Sequence, residues 1–243
     1  MFMNISTRLS LVMACCIACS YPLYAAPSAE DALASLKEGN ARYVSAATKH
    51  PDQSVEHRKE LTKGQTPFVS ILSCSDSRVP PEIIFDQGLG DIFSVRVAGN
   101  VADTDEIGSI EYGVGHLNTP LLVVLGHAKC GAVTAVVTGA EVHGSIPELV
   151  AHIAPAVKEA KATGATGDQL LDAAITYNVW DSIADILKKS EEVRDLVAKG
   201  KLKVVGAVYN LESGEVRWLG ESPDQSKLLG TAESATHSES KHL

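Results

Sequence analysis

The sequence predicts an α/β fold, a mostly parallel open sheet flanked by helices, with an N-terminal helical arm. Three observations carry this. Short apolar segments rich in Val, Ile and Leu alternate with longer segments of helical periodicity, the pattern of a sheet covered on both faces. No internal repeat or internal linker divides them. The stretch before them, "SAEDALASLKEGNARYVSA", spaces Ala32, Leu33, Leu36, Ala41 and Tyr43 near a helical repeat.

The elements are taken in chain order. Residues 1–25 carry one basic residue, Arg8, an apolar run from Leu9 to Ala18, and small Ala25 at a cleavage position, the pattern of a signal peptide. The run is too short to span a bilayer, so no stable membrane insertion is expected. The arm from Ala29 to Ala46 reads as two short helices interrupted at Gly39-Asn40. "DQSVEHRKELTKGQT" reads as polar surface. Strands are expected in "PFVSILSCS", "IFSVRVAG", "PLLVVLGH" and "KLKVVGAVYN", with "GEVRWLG" as an antiparallel edge. Helices are expected over Glu106 to Val114, with Tyr112 in the core, Gly131 to Val137, Ile146 to Ala160, Asp168 to Lys189 and Glu191 to Ala198. One domain over 26–222 and a polar tail over 223–243 complete the division.

At 243 residues the chain suits one well-buried domain. Its formal charge of -9 argues against nucleic acid as the main partner, while a local arginine can still hold a small anion. Cleavage after Ala25 removes Arg8 and no acid, leaving 20 basic against 30 acidic residues, or -10. Of five cysteines, Cys15, Cys16 and Cys19 lie in the signal, so Cys74 and Cys130 remain in the mature chain.

Both remaining cysteines stand at strand ends, where ligands bind in such sheets. Cys74 comes after one strand, and "GHAKCG" places His127 and Cys130 after another. Two thiolates and an imidazole suit zinc, with a fourth position open for water or an acid. A disulfide or redox pair, or two unrelated buried thiols, are the alternatives. Asp76 and Arg78 share the loop after Cys74. The arginine fork can orient the carboxylate, which then either caps the metal, accepts a hydrogen bond from metal-activated water, or merely ties down the loop. No G-x-S-x-G elbow, G-x-G-x-x-G or phosphate loop is present.

"CSDSRVPPEIIFDQG", "GDIFSVRVAGN", "GSIEYGV" and "VVLGHAKCGAV" together closely resemble a beta-class carbonic anhydrase, over about Leu33 to Gly220. The resemblance implies Zn2+ held by Cys74, His127 and Cys130, reversible hydration of carbon dioxide to bicarbonate and a proton by metal-bound hydroxide, and Asp76 with Arg78 as catalytic dyad. In an open state Asp76 would accept a hydrogen bond from the nucleophile; in a closed state it would complete the zinc tetrahedron. Gln87 and Gly131 fall at substrate-binding positions. Gln87 matches a plant-like subclass in which this residue often comes from the neighbouring subunit, and Ile71 stands where the bicarbonate-gated subclass has tryptophan. Arg96 matches a family arginine, and Val97 replaces the asparagine common after it.

The resemblance further implies a homodimer or dimer-based oligomer embraced by the N-terminal arm. With the signal, it places the protein in the periplasm of a Gram-negative bacterium or outside the cell. Rival readings are a zinc hydrolase of another cumulated substrate such as carbon disulfide, and a noncatalytic zinc or anion-binding protein.

Overall fold

The computed structural model describes residues 27–230. The signal reading for 1–25 and most of the expected tail lie outside these residues. Five strands, β1 (Val69–Ser73), β2 (Ile92–Arg96), β3 (Leu121–His127), β4 (Lys203–Tyr209) and β5 (Val216–Gly220), form one sheet in the order β2-β1-β3-β4-β5. The first four are parallel and β5 is antiparallel to β4. Strands β1 and β3 are buried throughout and therefore need apolar residues on both faces.

Side chains along these strands alternate between two layers. Leu72, Leu122, Val124 and Val204 pack under α4 (Thr104–Glu111), α8 (Gly167–Lys189) and α9 (Glu191–Ala198). On the opposite face Ile71, Leu121, Val123, Leu125 and Val205 pack with Ala32 and Leu36 of α1 (Ala29–Val44) and with Ile84 of α3 (Pro81–Ile84). A third apolar cluster joins Cys74 and Cys130 to Val133 of α5 (Gly131–Thr138), Val157 of α7 (Ala154–Ala162) and Ile175 of α8.

The arm is one helix, not two. Gly39 does not break α1 because it is a point of close approach: a Cβ there would run into the Phe85 carbonyl. Asn40, which reads in sequence as a turn residue, is buried. It donates to the carbonyls of Ile84 (3.2 Å) and Gly214 (2.9 Å) and accepts from the Val216 N–H (3.0 Å). Tertiary partners thus override the local preference of the Gly-Asn pair.

Other boundaries also move. The polar segment after the arm contains α2 (Val55–Leu61), capped by the Ser54 side chain on the His57 N–H. The helix expected over Ile146 to Ala160 is two pieces, α6 (Ile146–Ala151) and α7, with Pro155 in the first turn of the second, where its missing N–H is tolerated. α4 ends at Glu111 and passes into a π-helical turn over Tyr112–His116. That turn carries Tyr112 outward, 48% exposed against the Phe93 and His116 rings, rather than into the core. Residues 225–230 are helical, and Leu228 and Leu229 pack against the α8 layer. Among the described residues no helix is long and apolar enough to cross a membrane.

Replacing Asn40 by Ala leaves one buried N–H and two carbonyls without their partner at the junction of α1, α3 and β5. The expected loss is about 2 kcal/mol or more in unfolding free energy, read from the urea midpoint. An unchanged midpoint would show that this junction does not hold the arm.

Candidate metal centre

Adjacent parallel strands end at the same level, so the loop leaving β1 meets the end of β3. The register pairs Ser73 with Leu125, which brings Cys74, just past β1, beside His127 at the end of β3. Cys130 is the N-cap of α5 and reaches back to the same point. The ligating atoms of Cys74, His127 and Cys130 all lie within 4.8 Å of one another, and all three residues are buried. Neither cysteine is in a disulfide, so the paired-thiol alternative is not the arrangement adopted.

The donor set fits a soft tetrahedral cation such as zinc. His127 is completely buried, and its Nδ1 lies 2.9 Å from the Ala128 carbonyl. A carbonyl accepts only, so the proton sits on Nδ1 and the lone pair on Nε2. That Nε2 is buried without a hydrogen-bond partner, which is how an imidazole awaiting a metal is left.

The two thiols are shifted in opposite directions. Cys74 is pulled well below the ordinary thiol range, first by the Cys130 side chain and then by His127 and the N–H groups of Gly99 and Asp76, against the opposing effect of burial. Cys130 is pushed up, first by that hydrogen bond to Cys74 and then by burial. Of the pair, Cys74 is the readier to ionise, and its sulfur accepts from the Gly99 N–H at 3.3 Å.

Asp76 and Arg78 stand at the rim. Arg78 donates from Nε to Oδ1 (2.9 Å) and from Nη2 to Oδ2 (2.7 Å), and its backbone N–H adds a third bond to Oδ1 (2.9 Å). This fork holds the Asp76 carboxyl well below the usual carboxylate range, although partial burial works the other way. Oδ2 lies 3.9 Å from His127 Nε2, so the carboxylate overlooks the cluster while bound to Arg78.

The remaining sequence candidates fall differently. Gly131 is the first residue of α5, and a Cβ there would meet nothing, so it is not required by crowding within the subunit. Gln87 is not joined to the cluster: its amide donates to the carbonyls of Phe85 (2.8 Å) and Ser35 (3.5 Å), beside α1. Arg96 grips the metal loop from the edge strand, donating to the carbonyls of Cys74 (3.2 and 3.1 Å) and Asp76 (2.7 Å). Sequence reading missed Gly99 as a donor to Cys74. It also missed Asn178 and Ser182, whose only signal is that two polar residues one turn apart lie on the apolar stripe of α8.

A carbonic anhydrase family model matches residues 69–216. Carbonic anhydrase 2 of Mycobacterium tuberculosis is 44% identical over 184 residues, covering 74% of this chain and 87% of that protein. The carbonic anhydrase of Mycolicibacterium smegmatis is 39% identical, covering 75% and 89%. Among solved structures, the β-carbonic anhydrase CafA of Aspergillus fumigatus superposes with a TM-score of 0.68 at 26% identity, covering 85% of this chain and 97% of that one. With a parallel sheet that delivers two cysteines and a histidine to one buried point, and relatives matched along most of their length, the chain belongs to the beta class of the carbonic anhydrase family.

Proposed function

We propose that the protein is a zinc carbonic anhydrase that interconverts carbon dioxide and water with bicarbonate and a proton. The observation that carries this is the buried Cys74, His127 and Cys130 set with the Asp76–Arg78 pair beside it. Zinc held by the three side chains would supply Lewis acidity that brings the ionisation of water near neutrality.

The chain's own groups then have separate tasks. His127 keeps its proton on Nδ1, toward the Ala128 carbonyl, and offers Nε2 to the metal. Asp76, kept ionised by Arg78, serves as a hydrogen-bond acceptor that orients the attacking water rather than as a proton store. Arg78 fixes that carboxylate through two parallel bonds and, with its side chain 56% exposed, places a positive charge where an anionic product leaves. The proton released in each hydration passes to solvent buffer.

The same reading extends to the plant-like subclass with an open site. Its support is that both Asp76 oxygens are engaged by Arg78 and that Ile71 is wholly buried in β1. Gln87 would then act across a subunit boundary in a dimer-based assembly, with Gly131 opening space for substrate; in its own subunit the Gln87 amide faces α1. Residues 1–25 support export to the periplasm or beyond.

Stopped-flow hydration across about pH 6.5 to 9, a range bracketing the neutral pKa of metal-activated water, tests the reaction. Activity is expected at both ends. Activity confined to the alkaline end would overturn the open site, and none from metal-loaded protein would overturn the assignment. Replacing Asp76 by Asn should lower kcat by about 100-fold or more at unchanged zinc content; a variant close to wild type would remove Asp76 from the mechanism.

The cysteine pair makes a separate prediction for metal-free protein. Between the lowered Cys74 value, about 4, and the ordinary thiol value the unfolded chain binds more protons on the pair than the folded chain, so the pair's stabilising contribution grows as pH rises through that window. Above it the unfolded chain holds none and the folded chain still one, so the contribution shrinks. Ultraviolet thiolate absorbance at pH 7 is expected to report one thiolate per mature chain; none would contradict the lowering of the Cys74 thiol.

Export is checked by mass spectrometry of the protein recovered from its native host. The expected N-terminus lies directly after Ala25 or Ala26, and an intact Met1 would rule out cleavage.

A further inference from the structure

The Cys74 sulfur receives its hydrogen bond from Gly99, a residue that has no side chain to fix its own conformation. Gly99 sits at φ 74° and Asn100 at φ 47°, two successive left-handed residues. The segment Ala98–Asn100 is a single 3-10 turn, closed by the Asn100 N–H on the Val97 carbonyl at 3.0 Å, and glycine is the most permissive backbone position. The side chains that hold it come from α8. Asn178 donates from Nδ2 to the Gly99 carbonyl at 2.7 Å. The Ser182 hydroxyl lies 2.9 Å from the Asn100 carbonyl and 2.8 Å from that of Asn178.

These ties fix the two peptide planes on the C-terminal side of Gly99. With both planes set, the φ and ψ of Asn100 are set and the plane leaving Gly99 is anchored, so Gly99 presents its N–H to Cys74 Sγ from a fixed C-terminal side. Packing alone does not account for the polar residues. Asn178 and Ser182 occupy the stripe that contains Ala174 and Ile186, and both are almost completely buried. Asn178 Oδ1 has no partner there. A buried amide with an unsatisfied oxygen burdens the packing of its helix, so the donated bond to Gly99 is what the residue contributes.

We propose that Asn178, supported by Ser182, is a positioning residue for the metal centre: it holds the Gly99 N–H on the Cys74 sulfur and thereby sets how strongly that sulfur donates to the metal. The proposal rests on the reading that Cys74 is a metal ligand. A hydrogen bond drains electron density from a thiolate, so its loss leaves a stronger and less well oriented donor.

The experiment uses the full-length mature protein loaded with cobalt(II), whose sulfur-to-metal charge-transfer band reports the donor directly. In Asn178→Leu the band is expected to move to lower energy, and zinc in a parallel sample should pass to a chelator about 10-fold faster or more, as for other losses of support to a ligand. Ser182→Ala should shift the band in the same direction by less. Ile186→Val, on the same helix stripe but away from the loop, should move neither reading. A folded Asn178→Leu protein with the wild-type band and wild-type zinc release overturns the proposal. If that variant does not fold, an unshifted band in Ser182→Ala overturns it instead. Wild-type protein that binds cobalt without any sulfur charge transfer overturns the ligand reading itself, a result distinct from the other two.

Discussion

Everything at the site depends on the side-by-side placement of β1 and β3 as parallel strands buried on both faces. Parallel neighbours finish at the same edge of the sheet, and their outgoing loops must then share space. Here one loop begins with Cys74 and the other contains His127 and Cys130. No local propensity brings these residues together. The hydrophobic requirement to cover both faces of the two strands does, and the donor cluster is its by-product.

Two other segments and one of the loop's own residues then immobilise the first loop. Arg96 holds its carbonyls from the edge strand, Arg78 turns Asp76 over the cluster, and the segment at Gly99 presents a backbone donor to the sulfur. Charge is arranged consistently with this. The lowered proton affinities of Asp76 and Cys74 share one cause, donors aimed at the ionised form, and in both cases these donors outweigh burial. The site is thus electrostatically prepared by the protein alone.

Much of this was legible in the residues. The apolar runs announced the strands and their antiparallel edge, and the cysteines announced themselves by standing at strand ends. The features that could not be read depend on contacts distant in sequence. Gly39 and Asn40 look like a helix break until Phe85, Gly214 and Val216 are beside them. Tyr112 fits a helical core pattern until a π-helical turn rotates it outward. The support of Gly99 by Asn178 spans 79 positions, and neither residue carries a motif that names the other.

The Asn40 junction has a consequence for the order of events in folding. This side chain lies in the first helix, yet its partners Gly214 and Val216 are 174 and 176 positions away, at the start of the last strand. The ring they close encloses nearly the whole domain. During synthesis the leading helix can meet Ile84 early, but two of the three Asn40 bonds must wait until the trailing strand arrives. A chain interrupted before β5 therefore keeps the apolar contacts of Ala32 and Leu36, but leaves the Asn40 side chain with only the Ile84 carbonyl among its three partners.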